Sequence, residues 1–225
     1  MTCCAYIQNI GKCYFNFVNG VHCIEDKKCN FFYDNLLFKK FKAPGHQFMY
    51  KKLFSVAQES WKDIYRNKVK DIYDKRICEF NYKLLNNTLC CNSFLFKCKY
   101  RASALCNMCD EIEDIRHLIF DCEHVHILWK NLSSVLNFDV QWKHVVLGFY
   151  SERNSKIQFL NTFVSFIAYK IYKFKMFCRV TNKTETKDML LSYVKTNIKN
   201  NMNIFLNLTK THMYKNKMVT FVEMF

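Results

Sequence analysis

The sequence predicts a mainly α fold, in which helical segments flank a small cysteine- and histidine-rich knuckle and long basic helices follow it. Three observations carry this expectation. Only four glycines and one proline occur in 225 residues, too few for the tight turns of an all-β protein. Half of the residues are hydrophobic and 17% are aromatic, enough to build an ordered core in one domain or two small ones. Apolar residues also recur at steps of three and four through several long stretches, the spacing of one helical face.

Taken in order, residues 1–48 carry no assignable pattern beyond richness in Phe, Tyr and Asn. Lys39-Lys40-Phe41-Lys42 then leads to the chain's one Pro-Gly pair, Pro44-Gly45, the best available domain break. A helical region is expected over 49–137, and a basic helical region over 138–225. From about Tyr50 to Lys75, Phe54, Ala57, Trp61, Ile64, Tyr65, Val69 and Ile72 fall on one face. A second run, from about Arg76 to Cys91, turns Ile77, Phe80, Leu84 and Leu85 inward, with Asn86-Asn87-Thr88 and Asn92-Ser93 as caps or ends. Trp61 and Phe80 are expected in the core. Across 94–105, Lys97, Lys99 and Arg101 alternate with Phe96, Cys98 and Tyr100. Cations interleaved with rings suit phosphates and stacked bases, although a solvated amphipathic face has the same pattern.

The knuckle, 101–137, holds the chain's most specific motif. Cys106 and Cys109 form a Cys-x-x-Cys pair, His117 follows after seven intervening residues, and Cys122 after four more. Three thiols and one imidazole make a closed tetrahedral set for a structural zinc ion. With 13 cysteines in the chain, reduced buried thiols account for the same spacing, and His124 or His126 can compete with His117 or Cys122 as a ligand. Asp110, Glu111, Glu113 and Asp114 suggest that the loop is exposed. A helix is expected from Cys122 to about Leu136, packed down by Ile127, Leu128, Leu132 and Val135, with Trp129 covering the metal site. Further on, Leu160, Phe163, Val164, Ile167, Ile171 and Phe174 make a helical stripe, with Lys170, Lys173, Lys175 and Arg179 on its far half. Asn182-Lys183-Thr184-Glu185 breaks the chain before a last helix from about Glu185 to Leu208.

At the knuckle the chain resembles a known family. Cys-x-x-Cys, an acidic pair, His117-Leu118-Ile119-Phe120-x-Cys122 and then Trp129 look like the zinc-binding domain that follows the reverse transcriptase of non-LTR (LINE-type) retrotransposons. The likeness extends upstream through Cys78–Asn87 and Lys97–Arg101. Downstream it takes in Val146-Leu147-Gly148-Phe149 and Ile167–Lys173, covering about residues 50 to 180. Glu123 departs from the family, which often has proline there to start the next helix. The resemblance implies bound Zn2+, with Cys106, Cys109, His117 and Cys122 as ligands. It also implies a partner that is RNA of the element or target DNA, positioned for target-primed reverse transcription.

The charge agrees with such a partner. A formal net charge of +15 calls for a polyanion. Between Lys156 and Lys217 there are twelve Lys or Arg against two acids, a net of +10. The candidate phosphate contacts are Lys97, Lys99, Arg101, Arg116, Lys170, Lys173, Lys175 and Arg179. Catalysis is not expected. The chain has no Asp-Asp pair for two metals, no glycine-rich phosphate loop and no Gly-x-Ser-x-Gly elbow, so a small-molecule substrate is not expected either. An odd cysteine count with doublets at Cys3/Cys4 and Cys90/Cys91, and no signal peptide, points to a reducing nuclear or cytoplasmic setting. Phe159 to Tyr169, the longest apolar stretch of low charge, is too short to span a bilayer. A zinc-stabilised helical interaction module, or a non-functional mobile-element remnant, is the competing expectation.

Overall fold

The structure is a computed structural model. It describes the backbone of residues 7–9, 12–17, 20–23, 45–57, 60–70, 72, 74–150, 155–203, 205 and 212–224. The chain divides into two compact units, Met1–Gly45 and His46–Phe225.

The first unit holds a three-stranded antiparallel meander of β1 (Ile7–Asn9), β2 (Lys12–Phe17) and β3 (Gly20–Cys23). Tyr14 stands opposite Ile7 on one side and Cys23 on the other. This sheet lies in the segment where the sequence shows no assignable pattern.

The second unit is helical. The single helix expected over 50–75 is broken into α1 (Gly45–Phe54), α2 (Ser60–Tyr65) and a π-helical turn over Arg66–Lys70. Ser55 adopts φ 53° and ends α1, because a left-handed residue cannot continue a right-handed helix. The break shifts the inward register. Val56 is buried and Ala57 exposed, while Trp61, Ile64 and Ile72 lie in the core as expected.

The next helix, α3 (Lys75–Leu85), starts where Asp74 accepts a hydrogen bond from the Arg76 N–H at 2.8 Å. It stops at Asn86-Asn87-Thr88, the first of the two expected ends, six residues short of Cys91. The Asn86 side-chain amide donates back to the Tyr82 carbonyl at 2.6 Å, and Asn87 turns left-handed at φ 53°. Phe80 is buried and packs on Tyr169 and Tyr172. A short α4 (Asn92–Lys97) follows, ended by Lys99 at φ 62°.

After the knuckle come α5 (Glu123–Leu136), at the expected place, and α6 (Trp142–Val146). Gly148 then makes the turn at φ 73°. The long helix α7 (Ser155–Thr181) is central, packing on α3, α6 and the turn at Arg66–Lys70. All six predicted stripe residues are buried, but burial is not confined to a stripe: every residue from Phe159 to Ala168 is buried. That stretch is enclosed on all sides and has no solvated face to spare for charge, whereas Lys173, Phe177 and Val180 further along are exposed. The chain breaks after Thr181, as expected, and α8 (Lys187–Asn200) starts on Thr186, whose hydroxyl accepts from the Met189 N–H at 3.3 Å. The expected helix to Leu208 is interrupted at Asn201, whose side chain bonds the Asn197 carbonyl at 2.8 Å, and Met202, Asn203 and Phe205 are helical again; residues 204 and 206–208 lie outside the described ones. Last comes α9 (His212–Glu223), which packs on α5 and α8. The architecture is therefore mainly α, and residues on both sides of 137 share one core. Among the described residues, no helix is long and apolar enough to cross a membrane.

A candidate metal centre

The knuckle is a tight loop closed by main-chain bonds. Leu105 pairs with Ile112 as an isolated antiparallel bridge, the Cys106 N–H donates to the Glu111 carbonyl at 2.7 Å, and Glu113 N–H donates to Ala104 at 2.9 Å. Asp110 takes φ 58°, which Asp tolerates better than most residues and which turns the chain just after Cys109. Asp114 then accepts from the His117 N–H at 2.7 Å and starts the next turn.

That turn is the local reason why the last two ligands meet. His117–Asp121 is π-helical, and the Cys122 N–H donates to the His117 carbonyl at 3.2 Å. A five-residue ring brings His117 and Cys122 to one side, and such wide turns recur at functional sites. Trp129 holds the turn, donating its indole N–H to the Ile119 carbonyl at 2.8 Å, while Phe120 packs against its ring.

The donor atoms of Cys106, Cys109, His117 and Cys122 all lie within 4.8 Å of one another. Cys109 Sγ is 3.1 Å from His117 Nε2 and 3.8 Å from Cys122 Sγ. Sulfurs bound at about 2.3 Å to one tetrahedral ion stand roughly 3.8 Å apart, so the Cys109–Cys122 pair has the spacing an ion demands, with Cys106 inside the same 4.8 Å cluster. Cys106, His117 and Cys122 are buried, and Cys109 is half-buried. The imidazole is oriented as a ligand. Its Nε2 faces the sulfurs, while Nδ1 lies 3.3 Å from Glu111 Oε2, the outer carboxylate common behind metal-bound histidines. His124 and His126 stand outside the cluster. His124 Nε2 bonds the Met108 carbonyl at 3.0 Å, and His126 meets Phe120 edge-on.

The thiols are unequal. A hydrogen bond from Cys122 and the ammonium of Lys175 hold the Cys106 thiol well below its usual range, and the same shared proton pushes Cys122 up. Metal ligands must be deprotonated, so a ready thiolate suits ion capture.

Behind the loop lies a buried charge network. Asp110, Glu111 and Asp114 are exposed, as expected of a solvated loop, but Glu113 is 0% exposed. Its Oε1 accepts from Arg179 at 2.6 Å and from the Asn92 N–H at 2.9 Å; its Oε2 lies 3.5 Å from Lys175 Nζ. Lys175 Nζ also donates to Cys106 Sγ at 3.3 Å. Glu185 accepts from Asn107 at 3.1 Å, and burial pushes its carboxyl up.

The eight candidate phosphate contacts therefore separate. Lys175 and Arg179 are corrected: both turn inward to Glu113, because that side of α7 lies against the loop that carries Cys106 and Glu113. Arg101 is engaged within the loop, donating to Asn92 at 2.7 Å and Asn107 at 3.4 Å. Arg116 pairs with Asp121 at 2.9 Å while remaining about half exposed. Lys170 lies over the Phe166 ring at 5.0 Å, half-buried. Lys97, Lys99 and Lys173 are exposed, and Phe94, Phe96 and Tyr100 beside the first two are exposed as well. Glu111 as the histidine's partner and Glu113 as the hub have no sequence signal of their own, since nothing local separates them from solvated acids.

No protein-family model matches the chain, and neither a curated protein nor a solved structure matches it significantly. A compact cluster of three cysteines and one histidine that can hold a metal ion is what the fold supplies.

Proposed function

We propose that the cluster holds a structural zinc ion, and that residues 46–225 form a non-catalytic nucleic-acid-binding module akin to the zinc-binding region of non-LTR retrotransposon reverse transcriptases. The convergence of Cys106, Cys109, His117 and Cys122 within 4.8 Å carries this reading. Three soft sulfurs and one imidazole, mostly buried, favour zinc among common divalent ions and leave no open position for chemistry. The ion's part is to fix the loop.

The partner is inferred from charge and exposure. Lys97 and Lys99, with Phe94, Phe96 and Tyr100 around them, form an exposed basic and aromatic edge next to the metal loop. Cations of this kind release counterions from phosphates, and exposed rings stack on bases. Lys173 extends the cationic set.

Two measurements test this. Elemental analysis of the purified chain is expected to give one zinc per molecule, and Cys109→Ser to abolish it. A gel-shift titration is expected to show RNA or DNA binding that weakens steeply between two salt concentrations and falls about tenfold in Lys97→Glu/Lys99→Glu. No binding to single- or double-stranded nucleic acid at low salt overturns the nucleic-acid reading.

A second reading, a zinc-stabilised protein-interaction module, is favoured by one observation. Phe177, Val180 and Met189 are exposed along a trough of about 1040 Å³ between α7 and α8, larger in apolar extent than an isolated exposed residue requires.

A further inference from the structure

We propose that Lys175 is the counter-cation of the metal centre: its ammonium donates to the Cys106 sulfur and sets how tightly the site keeps its ion. This rests on the reading that the cluster binds a divalent metal.

The argument begins with charge. Three thiolates and one neutral imidazole around a divalent ion leave a net charge of −1, mostly out of water. An uncompensated charge inside a protein is costly. Among the described residues one cation is hydrogen-bonded to the cluster, and it is fully buried: Lys175, at 0% exposure, with Nζ 3.3 Å from Cys106 Sγ. Nothing in the helix itself calls for a lysine there, since Ile171, Phe174 and Cys178 beside it are core residues.

A plain ion pair with Glu113 is the simpler account, and the distances argue against it. Glu113 already has a cation, Arg179 at 2.6 Å, and its Oε1 also takes the Asn92 N–H. Lys175 stands 3.5 Å from the other oxygen, a long contact, while its 3.3 Å approach to sulfur is an ordinary N–H···S distance. Counting Glu113 and Arg179 as cancelling each other, and with the buried Glu185 carboxyl pushed towards its neutral acid, Lys175 is left to balance the thiolates. The hydrogen bond also draws electron density from Cys106, which makes its thiolate a poorer nucleophile once metal is bound. Lys175 is thus a positioning residue, acting on the ion through a ligand; it does not touch the ion.

The test uses the full chain loaded with Co2+ as a spectroscopic probe, and compares wild type, Lys175→Met and Lys175→Arg. Lys175→Met keeps the length of the side chain and removes the charge. It is expected to raise the Co2+ dissociation constant by about ten- to a hundred-fold, the range for lost outer partners of metal ligands. The sulfur-to-cobalt charge-transfer band is expected to move to longer wavelength, because Cys106 becomes more electron-rich, while the tetrahedral d–d bands stay. Lys175→Arg is expected to recover most of the affinity. A merely structural lysine changes the melting temperature without moving the charge-transfer band. Unchanged affinity and an unmoved band in folded Lys175→Met overturn the inference and leave the metal reading standing. A wild-type chain that takes up no Co2+ or Zn2+ overturns the metal reading itself.

Discussion

His117 owes its orientation to Glu111, whose carboxylate lies 3.3 Å from Nδ1 while Nε2 is turned to the sulfurs. Glu111→Gln keeps the shape and removes the charge. A competition titration against a chelator is expected to show zinc affinity about tenfold weaker, the low end for such partners because this carboxylate is exposed. Lys68 makes the opposite kind of statement. It is fully buried, donates to the Val145 carbonyl and Ser165 Oγ at 2.8 Å each, and pairs with no carboxylate among the described residues. Burial brings its pKa from 10.5 down to about 7. Between those values the unfolded chain holds a proton that the folded chain has lost. Stability therefore rises with pH across that window, by about 1.4 kcal/mol per pH unit from this group, and the full penalty is present below pH 7. Lys68→Met is expected to flatten that slope in denaturant titrations at pH 7, 8 and 9; an unchanged slope shows that Lys68 is charged in the fold.

Among the elements, the two π-helical turns matter most for placement. One carries Lys68 and Asn67 into the core, and the other brings His117 and Cys122 together. The second is pinned by Trp129. Trp129→Phe leaves the Ile119 carbonyl without its donor, and an expected loss of about 1–3 kcal/mol in chemical denaturation comes with faster loss of zinc to chelator. The turn into α7 depends on Gly148 in the same way. A Cβ there would stand 2.6 Å from Asn161 Oδ1 and 2.8 Å from Lys68 Cδ, on a backbone at φ 73°. Gly148→Ala is expected to destabilise the fold by about 2 kcal/mol or more, read from its thermal midpoint.

These same elements mark what a sequence can tell. The four ligands were legible because their spacing is local, and α5 was legible because its period and its start after Cys122 are local too. The end at Asn86-Asn87-Thr88 was legible too, as one of two expected ends, but the break at Ser55 was not, since it depends on one residue adopting a left-handed backbone that the apolar period does not encode. In Lys12–Phe17, the alternation of Cys13, Phe15 and Phe17 with Lys12, Tyr14 and Asn16 is the strand signal, too short to stand out among so many aromatics. Lys175 and Arg179 look in the sequence like the exposed lysines near them. Their partners, Glu113 for Arg179 and Cys106 with Glu113 for Lys175, are more than sixty residues away, and only tertiary packing distinguishes a buried cation from a solvated one.

For the molecule as a whole, the metal loop is not an appendage. Through Lys175, Glu113 and Arg179 it is tied to α7, the helix on which α3, α6 and α8 also pack. Removing the ion is therefore expected to be felt beyond residues 106–122. Scanning calorimetry with and without a strong chelator should show a lower midpoint in the chelated sample, restored in proportion to added zinc. A midpoint indifferent to zinc would mean that α7 is held without the loop. The wide turn over Leu118–Asp121 carries a further consequence. A π-helical turn is an α-helical turn with one residue inserted, so excising a single residue there would restore ordinary helical winding. His117 and Cys122 would then stand four residues apart, a spacing at which α-helical side chains share one face, about 40° apart around the axis. The shortened chain is therefore expected to keep both side chains turned towards Cys106 and Cys109, and its metal uptake reads whether the pocket needs the wide turn at all.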